Sequence, residues 1–170
     1  QAASSLAAAA DIATSIVKLG PLLEDIAGNL VQVEQLLPGL IDPAAMPTRS
    51  EQGHYRFPNG KVPHSLQGPA QNLAQLFDRL HGQLQRLENR LEDAIDGEVS
   101  GVDGAEAEVW YAVLGAMVSR AEGNLVLWSD YGRGDMDAKF PTARWVNIFS
   151  SGGQSSFELR CSPVLASVIL

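Results

Sequence analysis

From Leu6 to Leu37 the apolar residues Ile12, Ile16, Leu19, Leu23, Ile26, Leu30, Val33 and Leu37 recur at alternating spacings of four and three. That period draws one stripe along an α-helix and matches the seam of heptad-type packing. Gly20 and Pro21 interrupt the run, and proline removes a backbone donor while its ring crowds the preceding turn. The pattern therefore predicts two helices, over about 2–19 and 21–37, with Pro38 and Gly39 as the stop. A second seam follows in Leu73, Phe77, Leu80, Leu84, Leu87, Leu91 and Ala94, opened by Gly68 and Pro69 and closed by Gly97. It predicts a helix over about 68–96.

Residues 39–67, between the seams, are rich in Pro, Gly, His and Arg and carry no helical period, which predicts a long surface loop. His54, Tyr55, Arg56, Phe57, Lys61 and His64 gather there, where binding residues concentrate in compact domains. Further on, Asp103 precedes Glu106 by three residues, the arrangement in which each side chain satisfies a free N–H at a helix start. A helix over about 104–122 follows, with Trp110, Leu114, Met117 and Ala121 on one stripe. Gly123 and the segment Leu125-Val-Leu-Trp128 leave 124–131 open between helix and strand. Residues 132–142 are turn-rich. Arg144–Phe149 and Ser156–Arg160 flank a Ser-Ser-Gly-Gly-Gln turn, a β-hairpin over about 143–160. The apolar, β-branched run from Val164 to Leu170 adds a third strand or tucks into the bundle. The expected fold is α+β and mainly α: an antiparallel helical bundle with heptad-type packing plus a small C-terminal β-hairpin, in a single domain over 1–170.

Composition narrows the picture. A chain of 170 residues with 45% apolar and 19% charged residues can bury enough surface to fold. Asp11, Lys18, Glu24 and Asp25 break the longest apolar stretch, so no segment is expected to span a membrane. A net charge of -8 opposes loose attraction to nucleic acid or anionic lipid. Cys161 is the only cysteine, which rules out an intrachain disulfide; an alternating strand position reads it as structural. A chain beginning at Gln1 rather than methionine suggests processing and is compatible with secretion.

Charge on the helix 68–96 is segregated. Arg79, Arg86 and Arg90 flank one side of its seam and Glu88, Glu92 and Asp96 the other. Segregated shoulders set register against a partner helix, in the same chain or in another copy. Ala7, Ala8, Ala9, Ala10, Ala13 and Ala27 leave the first helix with little polar surface, which points to a subunit interface or, as the competing explanation, to a fully internal position. The residues expected to carry self-association are Ile12, Ile16, Leu19, Leu80, Leu84, Leu87, Arg86, Arg90, Glu88 and Glu92.

The chain lacks a serine-hydrolase elbow, a phosphate-cradling glycine loop, a dinucleotide fingerprint and helical zinc pairs, so no catalytic residue, cofactor, metal or small-molecule substrate is expected. His54 and His64 read as polar loop residues, and Asp130, Asp135 and Asp137 lack the spacing of a calcium loop. Arg133-Gly134-Asp135 spells the tripeptide of integrin ligands in a turn-rich setting. Arg56 and Lys61 together with Arg79, Arg86 and Arg90 could converge on phosphates, the one nucleic-acid contact available.

The helical order, the length, the acidic character, Arg56-Phe57-Pro58 before a helix and Ser155-Ser-Phe-Glu158 near the end resemble the coat proteins of rigid rod-shaped plant viruses. The segment 143–160 and the glycine-rich link depart from that pattern. The resemblance implies a subunit that polymerises helically around RNA with arginines facing phosphate. Taken together, the residues predict a non-enzymatic structural subunit that self-associates as a filament, coat or capsid-type assembly. Its partners would be copies of itself and possible RNA, in an extracellular or virion-type particle. The competing expectation is a secreted toxin or effector that binds a receptor or membrane surface through loop 39–67 or the Arg133-Gly134-Asp135 turn.

Overall fold

The computed structural model describes residues 2–47, 52–97, 99, 102–134 and 142–163, with side chains from Ile12 onward. The fold is α+β and mainly α. Helix α1 spans Ala2–Leu40, α2 His64–Ile95 and α3 Gly104–Arg133; strands β1 (Gln52–Arg56), β2 (Thr142–Ser151) and β3 (Gln154–Pro163) form one antiparallel sheet in the order β1-β2-β3. Two compact units emerge. One combines residues 1–27 and 74–126, and the other combines 28–73 and 127–170.

The first unit is helical and draws its core from all three helices: Leu22 and Ile26 of α1, Phe77, Leu80, Leu84, Leu87 and Ala94 of α2, and Ala107 and Ala121 of α3. Gly97, at φ +77°, takes the left-handed conformation that ends α2, and its N–H bonds the Ala94 carbonyl at 3.1 Å. Asp103 then caps α3 as its sequence position predicts, Oδ1 accepting from the Ala105 N–H at 2.9 Å. Close packing of α3 on α2 uses Gly115, where an added Cβ would lie 3.3 Å from Glu88 Oε1.

The second unit packs its helical ends against the sheet. Its core includes Val33, Leu37, Ile41, Phe57, Leu66, Leu73, Trp128 and Tyr131, joined by Val146 and Ile148 from the central strand. The β2–β3 hairpin closes through Gly152 and Gly153 at φ +60° and +81°, between the paired Ser151 and Gln154. Two successive positive φ values match the twist of a two-residue hairpin, so glycine is required there.

Several boundaries differ from expectation. The two helices expected around Gly20 and Pro21 are one, because the carbonyl that Pro21 cannot bond belongs to Val17 on an open face of α1, where water can reach it. The glycine before the proline also relieves the steric conflict that would bias that residue out of the helix. Pro38 is tolerated in the same way, and α1 ends at Leu40. Helix α2 starts four residues before the expected 68, at His64, with Pro69 inside it. The expected loop 39–67 holds β1 and two single-turn 3-10 helices, Pro43–Ala45 and Pro58–Gly60. Residues 124–131 are helical and α3 runs on past 122 to Arg133. The terminal run 164–170, Asp135 and Asp137 lie outside the described residues.

Candidate functional site: a basic groove and unpartnered apolar faces

Within the helical unit, α1 lies along the basic shoulder of α2. Ser15 and Lys18 of α1 face Gln83, Arg86, Asn89, Arg90 and Asp93 of α2 across a groove of about 550 Å³. Arg86 and Arg90 share one face because they are four residues apart on the helix. Arg90 is paired with Asp93 at 3.5 Å, whereas Lys18 and Arg86 make no ion pair among the described residues. Gln83 Oε1 is buried in this wall without a hydrogen-bond partner, a condition that costs about 1–3 kcal/mol. The opposite shoulder meets α3, since Glu88 approaches Gly115. Both charged shoulders expected to address a partner helix are therefore engaged in part by helices of the same chain.

Burial divides the residues expected to mediate self-association. Leu80, Leu84 and Leu87 belong to the chain's own core and have no surface left for another copy. Ile12 and Leu19 are half-buried, Glu88 is half-buried and Glu92 is exposed. Ile16 lies open, 56% exposed, and Val17 and Leu23 stand at 74% and 50%. Ala13, Gly20 and Ala27, also exposed, fall between them one heptad apart. The helical unit thus has a second seam on α1, with small residues at 13, 20 and 27 alternating with Ile16 and Leu23. It faces away from the core residues Leu22 and Ile26. On α3 a further apolar face carries Val109, Val113, Met117 and Trp110, the last 56% exposed. The side chains of Ala7–Ala10 lie outside the described residues.

The residues expected to contact nucleic acid fall in both units. Arg86 and Arg90 line the groove, Arg79 is exposed on α2 outside its lining, and Arg56 and Lys61 belong to the second unit. Lys18, which sits on a different helix, was not among the expected contacts. No spacing on either helix announces it.

The second unit contains a buried polar centre that the sequence did not flag. Arg144, 3% exposed, donates from Nε and Nη2 to Asp130 Oδ2 and Oδ1 at 2.6 and 3.1 Å. Its remaining donors reach the Gly60 carbonyl at 2.6 Å and the Gly134 carbonyl at 3.0 Å. A Cβ at Gly60 would collide with the Thr142 carbonyl, so only glycine brings that acceptor this close. Beside it the Tyr131 hydroxyl is shared between the carbonyls of Arg160 and Trp145, at 2.9 and 3.2 Å. Burial drives the Tyr131 pKa far above the ordinary tyrosine value. Cys161 is also pushed up, first by burial and then by the charge of Asp130, which opposes thiolate formation. On the rim, hydrogen bonds from Arg160 and Asn147 hold Glu158 below the usual carboxylate range.

Arg133 is exposed at the end of α3, but Gly134 is buried with its carbonyl held by Arg144, while Asp135 lies outside the described residues. Arg56 lines a hollow of about 520 Å³ with Pro58, Asn59 and Thr142. Phe57 is core, stacked edge-on to Tyr55 and Tyr131, and His54 hydrogen-bonds Asn147 across the β1–β2 pair at 3.1 Å. Among the described residues no cluster of His, Cys, Asp and Glu is arranged to hold a metal, and no helix is long and apolar enough to cross a membrane.

In comparisons with known proteins, no protein-family model matches the chain and no curated protein matches it. The resemblance to rod-shaped virus coat proteins rests on the quoted residues alone.

Proposed function

We propose that the chain is a non-enzymatic structural subunit that self-associates through its helical unit, with a second copy as the partner of the α1 face. The observation that carries this reading is the unpartnered seam of Ile16, Val17 and Leu23, interleaved with Ala13, Gly20 and Ala27. Large and small positions that alternate along one helix complement an antiparallel copy of themselves. Knobs at 16 and 23 enter the space above Ala13, Gly20 and Ala27 of the other chain, and the small residues let the axes approach to about 8 Å. Full burial of a large aliphatic side chain is worth about 1.5–3 kcal/mol, so these partly exposed residues still hold a substantial part of that gain. The α3 face includes the exposed Trp110, a residue type that dominates protein contacts. A chain with apolar faces on two helices has the means to extend an assembly beyond a pair, as a filament or coat requires.

Net charge sets a signature for this association. Copies carrying -8 each repel, and salt screens that repulsion within about 10 Å at 0.1 M. Particle mass should therefore rise with both chain concentration and salt in light scattering. Leu23→Glu should hold the chain as a monomer without changing its helical circular dichroism. A wild-type chain that stays monomeric in high salt, or a Leu23→Glu variant that assembles like wild type, would overturn the proposal.

A further inference from the structure

The groove between α1 and α2 concentrates charge of one sign in a chain whose balance is strongly of the other. Among the described residues, Lys18, Arg86 and Arg90 line it with one carboxylate, Asp93, while the chain as a whole stands at -8. Arg86 and Arg90 are like charges four apart, an arrangement that disfavours the helix carrying them, and α1 adds a third cation across the gap. Neutral donors complete the lining: the Ser15 hydroxyl and the amides of Gln83 and Asn89. Among the described residues no aromatic side chain lines the groove, so none of them stacks on a base or a sugar ring. A guanidinium presents its donors as a planar fork that matches two oxygens of a phosphoryl group, and an ammonium adds a point charge that adapts to a third.

We infer that this groove is a binding site for a phosphoryl group, held by Arg86 and Lys18 with Arg90 as the third cation. Its volume, about 550 Å³, exceeds a single phosphate and accommodates a pyrophosphate or two neighbouring phosphates of a strand. The phosphoryl group could arrive free or as part of a nucleic-acid backbone, and the chemistry at the groove is the same. This inference does not depend on the self-association proposed above, because the groove faces α2 rather than the open seam of α1.

The test titrates the full-length chain separately with orthophosphate, pyrophosphate and a short single-stranded oligoribonucleotide, following phosphorus resonances of the ligand and heat of binding. Saturable binding is expected, weakened at least about tenfold by Arg86→Glu and by Lys18→Glu, since each loses a charge-assisted hydrogen bond. Arg120→Glu, an exposed cation on α3, should leave affinity within experimental error. All variants are exposed positions, and circular dichroism confirms their folding. Groove-dependent binding of the small phosphates identifies a free ligand; groove-dependent binding of the oligonucleotide alone identifies the phosphodiester backbone. No saturable binding of any of the three, or equal weakening by Arg120→Glu, overturns the inference.

Discussion

Replacing Arg144 by methionine should be among the most damaging single changes in the second unit. Methionine preserves the apolar stem but removes every donor, which leaves the Asp130 carboxylate and the carbonyls of Gly60 and Gly134 without the partners that reach them at 2.6–3.1 Å. Breaking a buried ion pair from one side costs about 3–5 kcal/mol, because the surviving charge stays desolvated. Asp130 retains 22% exposure of its side chain, so water recovers part of that cost. Gly60 and Gly134 are buried and recover less. The separate losses share one network and do not add, so about 3–4 kcal/mol is expected for Arg144→Met. Urea unfolding followed by tryptophan fluorescence measures it, since Trp128 and Trp145 both lie in this unit. The midpoint should fall without a change in slope. Adding Asp130→Leu to Arg144→Met should return part of the loss, as the orphaned charge is then gone. An Arg144→Met protein within about 1 kcal/mol of wild type would refute the argument that this centre holds the unit together.

Three further outcomes follow from the same contacts. Leu84→Asp should abolish the helical unit, because deleting the buried leucine costs about 2–5 kcal/mol before the unpaired charge is counted; retained helical circular dichroism would contradict this. Tyr131 has a folded pKa raised above its unfolded value of about 10, so its contribution is complete below that pH and is lost as pH rises from there toward the folded value. Alkaline unfolding should therefore steepen above about pH 10 in wild type and less so in Tyr131→Phe. The Cys161 thiol, held neutral by burial and by Asp130, should react with iodoacetamide more slowly in the folded chain than in urea at the same mildly alkaline pH; equal rates would show it to be unprotected.

The seams of α1 and α2 were legible because burial on one stripe imposes a period that few other forces produce. Leu22 was not, since the heptad series shares Ile26, Val33 and Leu37 with the buried stripe but takes the exposed Leu23 in its place. Punctuation misled in the opposite direction: Gly20-Pro21 and Gly68-Pro69 read as boundaries, yet exposed carbonyls near Pro21 let the helix continue. Strand β1 carries few strand-forming residues, and its pairing with β2 is non-local, Arg56 lying opposite Trp145. One signal for it was Gly53, where a side chain would strike the Ala45 carbonyl. Arg144 could have been found by parity, because it alternates with Val146 and Ile148 on the inward face of β2. The basic groove was half legible. Arg86 and Arg90 follow from helical spacing, but Lys18 joins them only through the packing of α1 on α2.

In the proposed assembly the open seam of α1 meets the same seam of a second copy. Placing a cysteine at its middle tests this directly: Gly20→Cys in a Cys161→Ser background, where nothing crowds an added side chain within 4 Å. Antiparallel pairing that sets Leu23 over Gly20 and Ile16 over Ala27 of the other copy offsets the two Gly20 positions by about 4.5 Å along the axis, which at close approach of the helices falls within the Cα separation of about 4.4–6.8 Å that a disulfide requires. Mild oxidation should then yield a covalent dimer rapidly, while Gln85→Cys in the same background, exposed on α2, should not. Failure of Gly20→Cys to cross-link, or equal cross-linking at residue 85, would contradict the proposed interface.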